Sequence, residues 1–133
     1  MSEIDIEVPQ TRTGYFVEQN LRKSFGSEDT SDKIYTLTIS MYERQYSVGL
    51  MADDTSTRSE ITSSVSYTLK NTKTGKDIFK DNFSETVTYD TSQSPFTGVI
   101  SQQDAQERIA GSIAQKIQTN LAIYFHENAK ARP

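Results

Sequence analysis

The fold is decided by residues 57–70, TRSEITSSVSYTLK, in which apolar and hydroxyl-bearing side chains alternate along most of the stretch. The apolar side chains all fall at odd-numbered positions, which are Ile61, Val65, Tyr67 and Leu69. Because successive side chains of a β-strand point to opposite faces, these residues share one face, and the other face carries Thr62, Ser64, Ser66 and Thr68. The stretch therefore predicts a strand with one buried face and one polar face.

Three further strands are predicted around this one. Residues 33 to about 49 alternate in the same way, and a turn at residues 71–75 leads into another long strand. A short strand at Ile4–Val8 ends before Pro9, which lacks the N–H that a central strand needs. The apolar positions that define the two long strands are Tyr35, Leu37, Ile39 and Met41 in the first, and Phe79, Phe83, Val87 and Tyr89 in the second.

Two helices complete the pattern. The first is expected over residues 13–25, with Thr11 or Thr13 as its N-terminal cap, because Val17 and Leu21 recur at helical spacing. The second is expected from about Gln102 to Glu127, after a loop over residues 90–100, and residues 129–133 are expected to form a flexible tail. The apolar stripe of this second helix is Ile109, Ile113, Ile117, Leu121 and Phe125.

These elements follow one another in the order β-α-β-β-β-α. The order predicts an α+β fold, a two-layer sandwich in which two helices pack on one face of a four-stranded mixed sheet. No repeat or linker divides the chain, so residues 1–133 are expected to form a single domain.

The composition excludes several classes of protein. The 133 residues include no Cys, so disulfides, thiolate metal sites and cysteine nucleophiles are excluded. The net charge of -4 and the pI of about 5.0 argue against a nucleic-acid partner. No basic and apolar leader precedes the first strand, which indicates either a cytoplasmic protein or one whose export signal has been removed.

The polar face of the predicted sheet is rich in hydroxyl groups. The chain contains 16 Ser and 16 Thr. Such a face is either a solvated surface of an antiparallel sheet, where Thr has good strand propensity, or a surface that docks against another polar protein. The sequence alone favours the first interpretation. The outward positions are Thr36, Thr38, Ser40, Thr62, Ser64, Ser66, Thr68, Ser84, Thr86 and Thr88.

The first long strand contains a break in its pattern, because its apolar positions change from odd to even numbers at Tyr42. Such a change requires either a bulge or the exposure of one set. The strand would extend about 55 Å, and the last helix only about 39 Å, so the hairpin tip should overhang the helices. The tip is a candidate contact surface unless the hairpin twists back on itself. Its residues are Tyr46, Val48, Leu50 and Met51.

We find no catalytic constellation in the sequence, and we expect no enzyme activity, no metal and no cofactor. The single histidine, His126, is expected near the end of the last helix, where the helix dipole favours it. The pair Asp53-Asp54 lies in a predicted turn and lacks the spacing of a calcium-binding loop.

Two groups of basic residues are candidates for phosphate contact. Arg58 could hold a phosphate through both arms of its guanidinium group, or could pair with an acidic residue of the preceding turn. Lys70, Lys73 and Lys76 cluster with Lys80 around the other hairpin end, where lysines also keep sheet edges soluble.

Short motifs along the chain resemble one known family. Their order and spacing are similar to those of LptE proteins, the lipopolysaccharide-assembly lipoproteins of the outer membrane, in their alphaproteobacterial form. The resemblance covers nearly the full chain. The motifs are Val8-Pro9, Arg12-Thr13-Gly14, Leu21-Arg22, Thr55-Ser56-Thr57-Arg58, Tyr67-x-Leu69, Thr74-Gly75-Lys76, Gln103-Asp104-Ala105-Gln106-Glu107-Arg108 and Leu121-Ala122-Ile123-Tyr124-Phe125.

The resemblance implies an exported protein that is anchored by an N-terminal lipid at the periplasmic face of the outer membrane. The lipid-bearing Cys and the signal are missing from this chain. Proteins of this kind plug the β-barrel LptD, help it to assemble, and assist delivery of lipopolysaccharide to the cell surface. The implied partners are therefore LptD and lipopolysaccharide.

The resemblance carries over one binding residue, Arg58, which matches a T-x-T-R pattern. Other members have basic residues near the hairpin tip and before the last helix, where this chain has Asp53-Asp54 and Thr97-Gly98. With the lysines of the other hairpin end included, the candidate lipopolysaccharide-binding residues are Arg58, Lys70, Lys73 and Lys76. The candidate partner-binding residues are Tyr46, Val48, Leu50, Met51, Thr62 and Ser64.

Two other functions are left open. One is a general periplasmic protein–protein interaction module that uses the hydroxyl-rich face. The other is a small-ligand-binding domain, which would need an enclosed apolar pocket with convergent polar groups.

Overall fold

The computed structural model describes residues 4–25, 34–50, 56–92 and 95–131. The elements are β1 (Ile4–Glu7), α1 (Arg12–Phe25), β2 (Tyr35–Leu50), β3 (Ser56–Asn71), β4 (Asp77–Ser92) and α2 (Pro95–Ala131). β1 pairs in parallel with β2, while β2, β3 and β4 pair antiparallel, so the sheet is mixed and its strand order is β1-β2-β3-β4. The predicted α+β fold and its element order are confirmed.

The core lies between the two helices and one face of the sheet. The odd-numbered apolar residues of β3 are buried, as the alternation predicts, and so is the apolar stripe of α2 as far as Leu121. Each fully buried Leu or Ile contributes about 1.5–3 kcal/mol relative to an exposed side chain. In the described ranges, the fully buried Val, Leu and Ile side chains are Val17, Leu21, Leu37, Ile61, Val65, Leu69, Ile109, Ile113, Ile117 and Leu121.

Helix α2 is longer at both ends than the sequence predicts. It begins at Pro95 rather than near Gln102, and β4 continues to Ser92, so most of the predicted loop over residues 90–100 is regular structure. Proline is well accepted at the first position of a helix, where its missing N–H costs nothing. The predicted capping sequence at residues 101–104 therefore lies inside the helix, and residues 129–131 of the predicted tail are helical.

The longer helix removes the basis for an overhanging hairpin tip. At 37 residues, α2 is about 56 Å long, and the 16-residue β2 is about 54 Å long. The helix and the strand therefore match in length. Met51 and the rest of the tip, residues 51–55, lie outside the described residues, as do the side chains of Val48 and Leu50.

The break in the pattern of β2 is resolved by exposure of one set of side chains. The pairing of β2 with β3 is continuous from Tyr35 to Ser47, and the first irregularity lies between Ser47 and Gly49. Tyr42 and Tyr46 consequently stay on the face without helices, where they are 65% and 47% exposed.

The start of α1 is set by a cap and a close backbone contact. Of the two candidate caps, Thr11 has this role, because its Oγ1 accepts a hydrogen bond from the N–H of Gly14 at 3.0 Å. A Cβ atom on Gly14 would overlap the carbonyl oxygen of Pro9. Glycine is therefore the residue that lets the chain turn from β1 into α1 at this point.

We predict that Gly14→Ala lowers the free energy of unfolding by about 1–3 kcal/mol, because the added methyl group overlaps a backbone carbonyl. Gly111→Ala is the matched control, since a Cβ there meets nothing within 4 Å, and alanine should stabilise that helix by up to about 1 kcal/mol. Urea denaturation measures both variants. A Gly14→Ala protein as stable as the unaltered chain would contradict the prediction.

A polar seam in the middle of the sheet joins both helices to β2. The end of the sheet where β2 ends and β3 begins is hereafter called the tip end. Glu43 of β2 accepts hydrogen bonds from Thr13 Oγ1 at 2.6 Å, Gln45 Nε2 at 3.0 Å and Gln106 Nε2 at 3.1 Å. One carboxylate thus connects α1, β2 and α2. Ser63 pairs opposite Glu43, is fully buried, and has no hydrogen-bond partner for its Oγ among the described residues.

We predict that Glu43→Ala lowers the free energy of unfolding by about 1.5–3 kcal/mol, because three donors lose a charged acceptor. Glu85→Ala is the matched control. Glu85 faces the helices in the same row of the sheet and forms no hydrogen bond or ion pair with another described residue, so its loss should change stability by less than about 0.5 kcal/mol. Equal unfolding midpoints for the two variants would show that the seam does not stabilise the fold.

Candidate functional site on the open face of the sheet

The face of the sheet opposite the helices, hereafter the open face, carries the hydroxyl groups. The strand register pairs Thr38 with Thr68, Thr62 with Thr86, and Ser64 with Ser84. Since paired residues share a face, all ten outward positions expected from the sequence lie on the open face. This face extends along three paired strands of 16 residues each.

Hydrogen bonds join several side chains of the open face near the tip end. Tyr46 Oη donates to Glu60 Oε1 at 2.9 Å and lies 3.4 Å from Thr62 Oγ1. Thr62 Oγ1 lies 3.0 Å from Thr86 Oγ1. Three predicted partner-binding residues are therefore close together, because Ser64 is two residues along β3 from Thr62.

Two exposed tyrosines and an arginine lie along β2 on this face, and we call Tyr42, Arg44 and Tyr46 the aromatic strip. The Arg44 guanidinium lies 6.0 Å from the centre of the Tyr42 ring. Arg44 forms no ion pair with another residue in the described part of the chain. Sequence reasoning missed Arg44 and Tyr42 as site residues, although their even-numbered positions beside Tyr46 were the available signal.

Arg58 lies at the tip end, beside a cleft between β4 and α2. Arg58 Nε lies 3.7 Å from Asp90 Oδ1. Arg108 of α2 lies 3.0 Å from Asp104 and donates to the carbonyl oxygen of Thr88 at 3.3 Å. The cleft has a volume of about 320 Å³ and brings two guanidinium groups to one cavity. Both ion pairs are about half exposed and contribute little to stability, so an anion could replace a carboxylate.

Sequence reasoning could not find the partners of Arg58. Its expected partners, Asp53 and Asp54, lie outside the described residues, and Asp90 is 32 positions away on the next strand. In the sequence, Arg108 belongs to a motif that indicates only the start of the last helix. Its position near Arg58 depends on the packing of α2 over the edge of β4, which no local pattern reveals.

The candidate lysines lie at the opposite end of the sheet. Lys70 Nζ lies 4.0 Å from Asp77 on the open face, while Lys73 and Lys76 are exposed in the turn between β3 and β4. Arg58 and Lys70 are 12 positions apart on β3, which corresponds to a distance of about 41 Å. The four basic residues therefore form two separate sites rather than one.

Tyr67 is a buried titratable side chain of β3. Burial raises the pKa of the Tyr67 hydroxyl, which accepts a hydrogen bond from Asn120 at 3.0 Å. This pair lies in the interior between β3 and α2. No cluster of three or more His, Cys, Asp or Glu residues able to hold a metal ion occurs in the described ranges.

Comparison with known proteins identifies the family. A family model described as LptE, lipopolysaccharide-assembly, matches residues 2–121. The chain belongs to the LptE family. Its members are lipoproteins of the outer membrane, and the role of this LptE protein lies in lipopolysaccharide assembly. Within the described ranges, no helix combines the length and the apolar character needed to cross a membrane.

Solved structures resemble this LptE chain over most of its length. A Caulobacter crescentus protein assigned as a lipoprotein is 30% identical, with 92% of this chain and 90% of that chain covered and a TM-score of 0.78. The minor lipoprotein of Acinetobacter baumannii is 13% identical, with 88% and 90% covered and a TM-score of 0.60. Rare lipoprotein B of Shewanella oneidensis is 12% identical, with 95% and 98% covered and a TM-score of 0.56.

At 13% and 12% identity, the last two structures show only that the fold is shared. No curated protein sequence matches the chain significantly.

Proposed function

We propose that this LptE protein is a non-catalytic assembly factor that plugs the lipopolysaccharide-translocating β-barrel LptD. In this role it helps the barrel to assemble and assists the delivery of lipopolysaccharide to the cell surface. It acts at the periplasmic face of the outer membrane, where a lipid at its native N-terminus anchors it. One observation carries the proposal: a member of the LptE family leaves a long, hydroxyl-rich sheet face free of helices.

The chemistry of the open face suits the interior of a barrel. The interior of an outer-membrane barrel is polar, so a plug needs a polar surface rather than an apolar patch. Ser and Thr side chains can exchange hydrogen bonds with water for hydrogen bonds with a barrel wall at a small net change in free energy. The Ser and Thr positions of the open face therefore allow close contact with a barrel wall without burying a charge.

The barrel contact is proposed to lie toward the tip end. Tyr46, Thr62 and Ser64 are the described residues of this contact, and they lie together on the open face. Val48, Leu50 and Met51, which follow along the same hairpin, are proposed to extend it.

Lipopolysaccharide contact is proposed at Arg58. A phosphate group could replace Asp90 beside its guanidinium, and Arg108 offers a second cation across the same cleft. Lys70, Lys73 and Lys76 form a second basic site at the other end of the sheet, which is too distant to contact the same phosphate.

We predict that Arg58→Glu weakens binding of lipopolysaccharide by about tenfold, since an attraction becomes a repulsion at the cleft. The half-exposed pair with Asp90 should add less than about 1 kcal/mol to stability, so the variant should remain folded. Binding is measured with immobilised lipopolysaccharide and folding by circular dichroism.

Arg22→Glu is the matched control for this experiment. Arg22 is half exposed and pairs with Glu18 at 3.1 Å on α1, away from the cleft. A Lys73→Glu/Lys76→Glu variant measures the contribution of the opposite end of the sheet. If Arg58→Glu binds as tightly as Arg22→Glu, Arg58 is not a lipopolysaccharide contact.

We predict that depletion of the protein in its host reduces both mature LptD barrel and surface lipopolysaccharide, because the barrel would lose its plug and assembly factor. Immunoblotting of outer membranes and surface labelling of lipopolysaccharide measure these amounts. Unchanged amounts of both would contradict the proposed function. Recovery of the tagged chain with another periplasmic protein and without any barrel would instead support a general interaction module.

A further inference from the structure

The aromatic strip exposes two rings on the polar open face of the sheet. Tyr42 and Tyr46 are four residues apart on β2, so their positions are separated by about 14 Å along the strand. They are 65% and 47% exposed. The phenol oxygen of Tyr46 is held by Glu60, while the ring itself remains accessible. Rings in this arrangement can stack against the C–H face of a ligand that is polar at its edges.

The surroundings of the strip supply hydrogen-bonding groups at the level of the rings. Thr62 lies opposite Arg44, and Ser64 lies opposite Tyr42. The Glu60 carboxylate accepts hydrogen bonds from Tyr46 at 2.9 Å and from Thr62 at 3.5 Å through one of its two oxygens. Its second oxygen is therefore available to accept hydrogen bonds from a ligand hydroxyl.

The Arg44 side chain supplies the cation of the strip. Its guanidinium group has five N–H donors and forms no ion pair with another described residue. It can therefore donate to adjacent hydroxyl groups or pair with an acidic substituent. Stacking faces, hydroxyl groups, a carboxylate and a guanidinium together match the chemistry of a saccharide that carries acidic groups.

We propose that the aromatic strip binds the saccharide portion of lipopolysaccharide. The inference rests on the proposed function for the choice of lipopolysaccharide. Arg58 pairs opposite Asp90 on the same face, and two residues of β3, about 7 Å, separate it from Glu60 beside Tyr46. A phosphate at Arg58 and sugars on the strip can thus belong to one lipopolysaccharide molecule.

The probe that tests this site is the core oligosaccharide released from lipopolysaccharide by mild acid and freed of lipid A. Titration followed by ¹⁵N NMR should shift the backbone signals of Tyr42, Arg44 and Tyr46. The double variant Tyr42→Ala/Tyr46→Ala should bind the probe about tenfold more weakly, because two stacking rings are lost. Arg44→Gln should also bind more weakly, and its binding should depend less on salt.

Tyr15→Ala is the matched control, since Tyr15 is 55% exposed on α1 and lies outside the open face. Its affinity for the probe should equal that of the unaltered chain. Absence of binding up to millimolar concentration would overturn the inference. So would equal affinities of the double variant and the control.

Two further outcomes separate this inference from the proposed function. If the double variant no longer co-purifies with LptD and the probe does not bind, the strip is a barrel contact and the saccharide site is overturned. If the probe binds to the strip but the unaltered chain does not co-purify with LptD, the saccharide site stands and the plug function fails.

Discussion

The structure depends on one constraint, which is that two helices cover only one face of a four-stranded sheet. The apolar side chains that the long strands bury must therefore lie at alternate positions. The side chains between them must be stable in contact with water. Threonine and serine meet this requirement, because they combine acceptable strand geometry with a hydroxyl group. The hydroxyl-rich composition of the chain is thus a consequence of how few elements cover the sheet. The same constraint makes the open face available for a partner.

The helical layer has to be as long as the strands that it covers, and this explains the length of α2. Its 37 residues cover the buried face of strands of 16 residues. In the middle of the sheet the polar seam interrupts the apolar core, and there Glu43 is held by hydrogen bonds from both helices and from β2. Hydrogen bonds to a charged group have stricter geometry than apolar contacts. The seam therefore fixes the position of the helices relative to β2, whose other face carries the aromatic strip.

Sequence periodicity predicted the strands, their buried faces and the outward hydroxyl positions, because a period of two is a local property of the chain. The prediction was wrong at the start of α2. Pro95 and Gly98 are typical of a loop, but proline is also favoured at the first position of a helix. Periodicity also could not choose between a bulge and exposure at Tyr42, since that depends on pairing with β3. Candidate site residues were predicted only in part. The nearness of Arg58 to Asp90 and Arg108 arises from strand pairing and helix packing, which join positions distant in sequence.

A surface made mainly of hydroxyl groups suits transport, because each of its contacts with a ligand is weak. Each hydroxyl exchanges one hydrogen-bond partner for another at a net change of about 1 kcal/mol or less, so contacts along the open face form and break without a deep energy minimum. In the proposed mode of binding, strong contact is confined to a few side chains, namely the two tyrosines and Arg44 of the aromatic strip and Arg58 in the cleft. A ligand held at a few points on an otherwise hydroxyl-rich surface can be bound specifically and still be released. Tyr46 and Thr62 belong to the proposed barrel contact, and they also form or border the aromatic strip. We therefore expect a barrel wall and a saccharide to compete there, and such competition would couple the presence of lipopolysaccharide to the fit of the proposed plug.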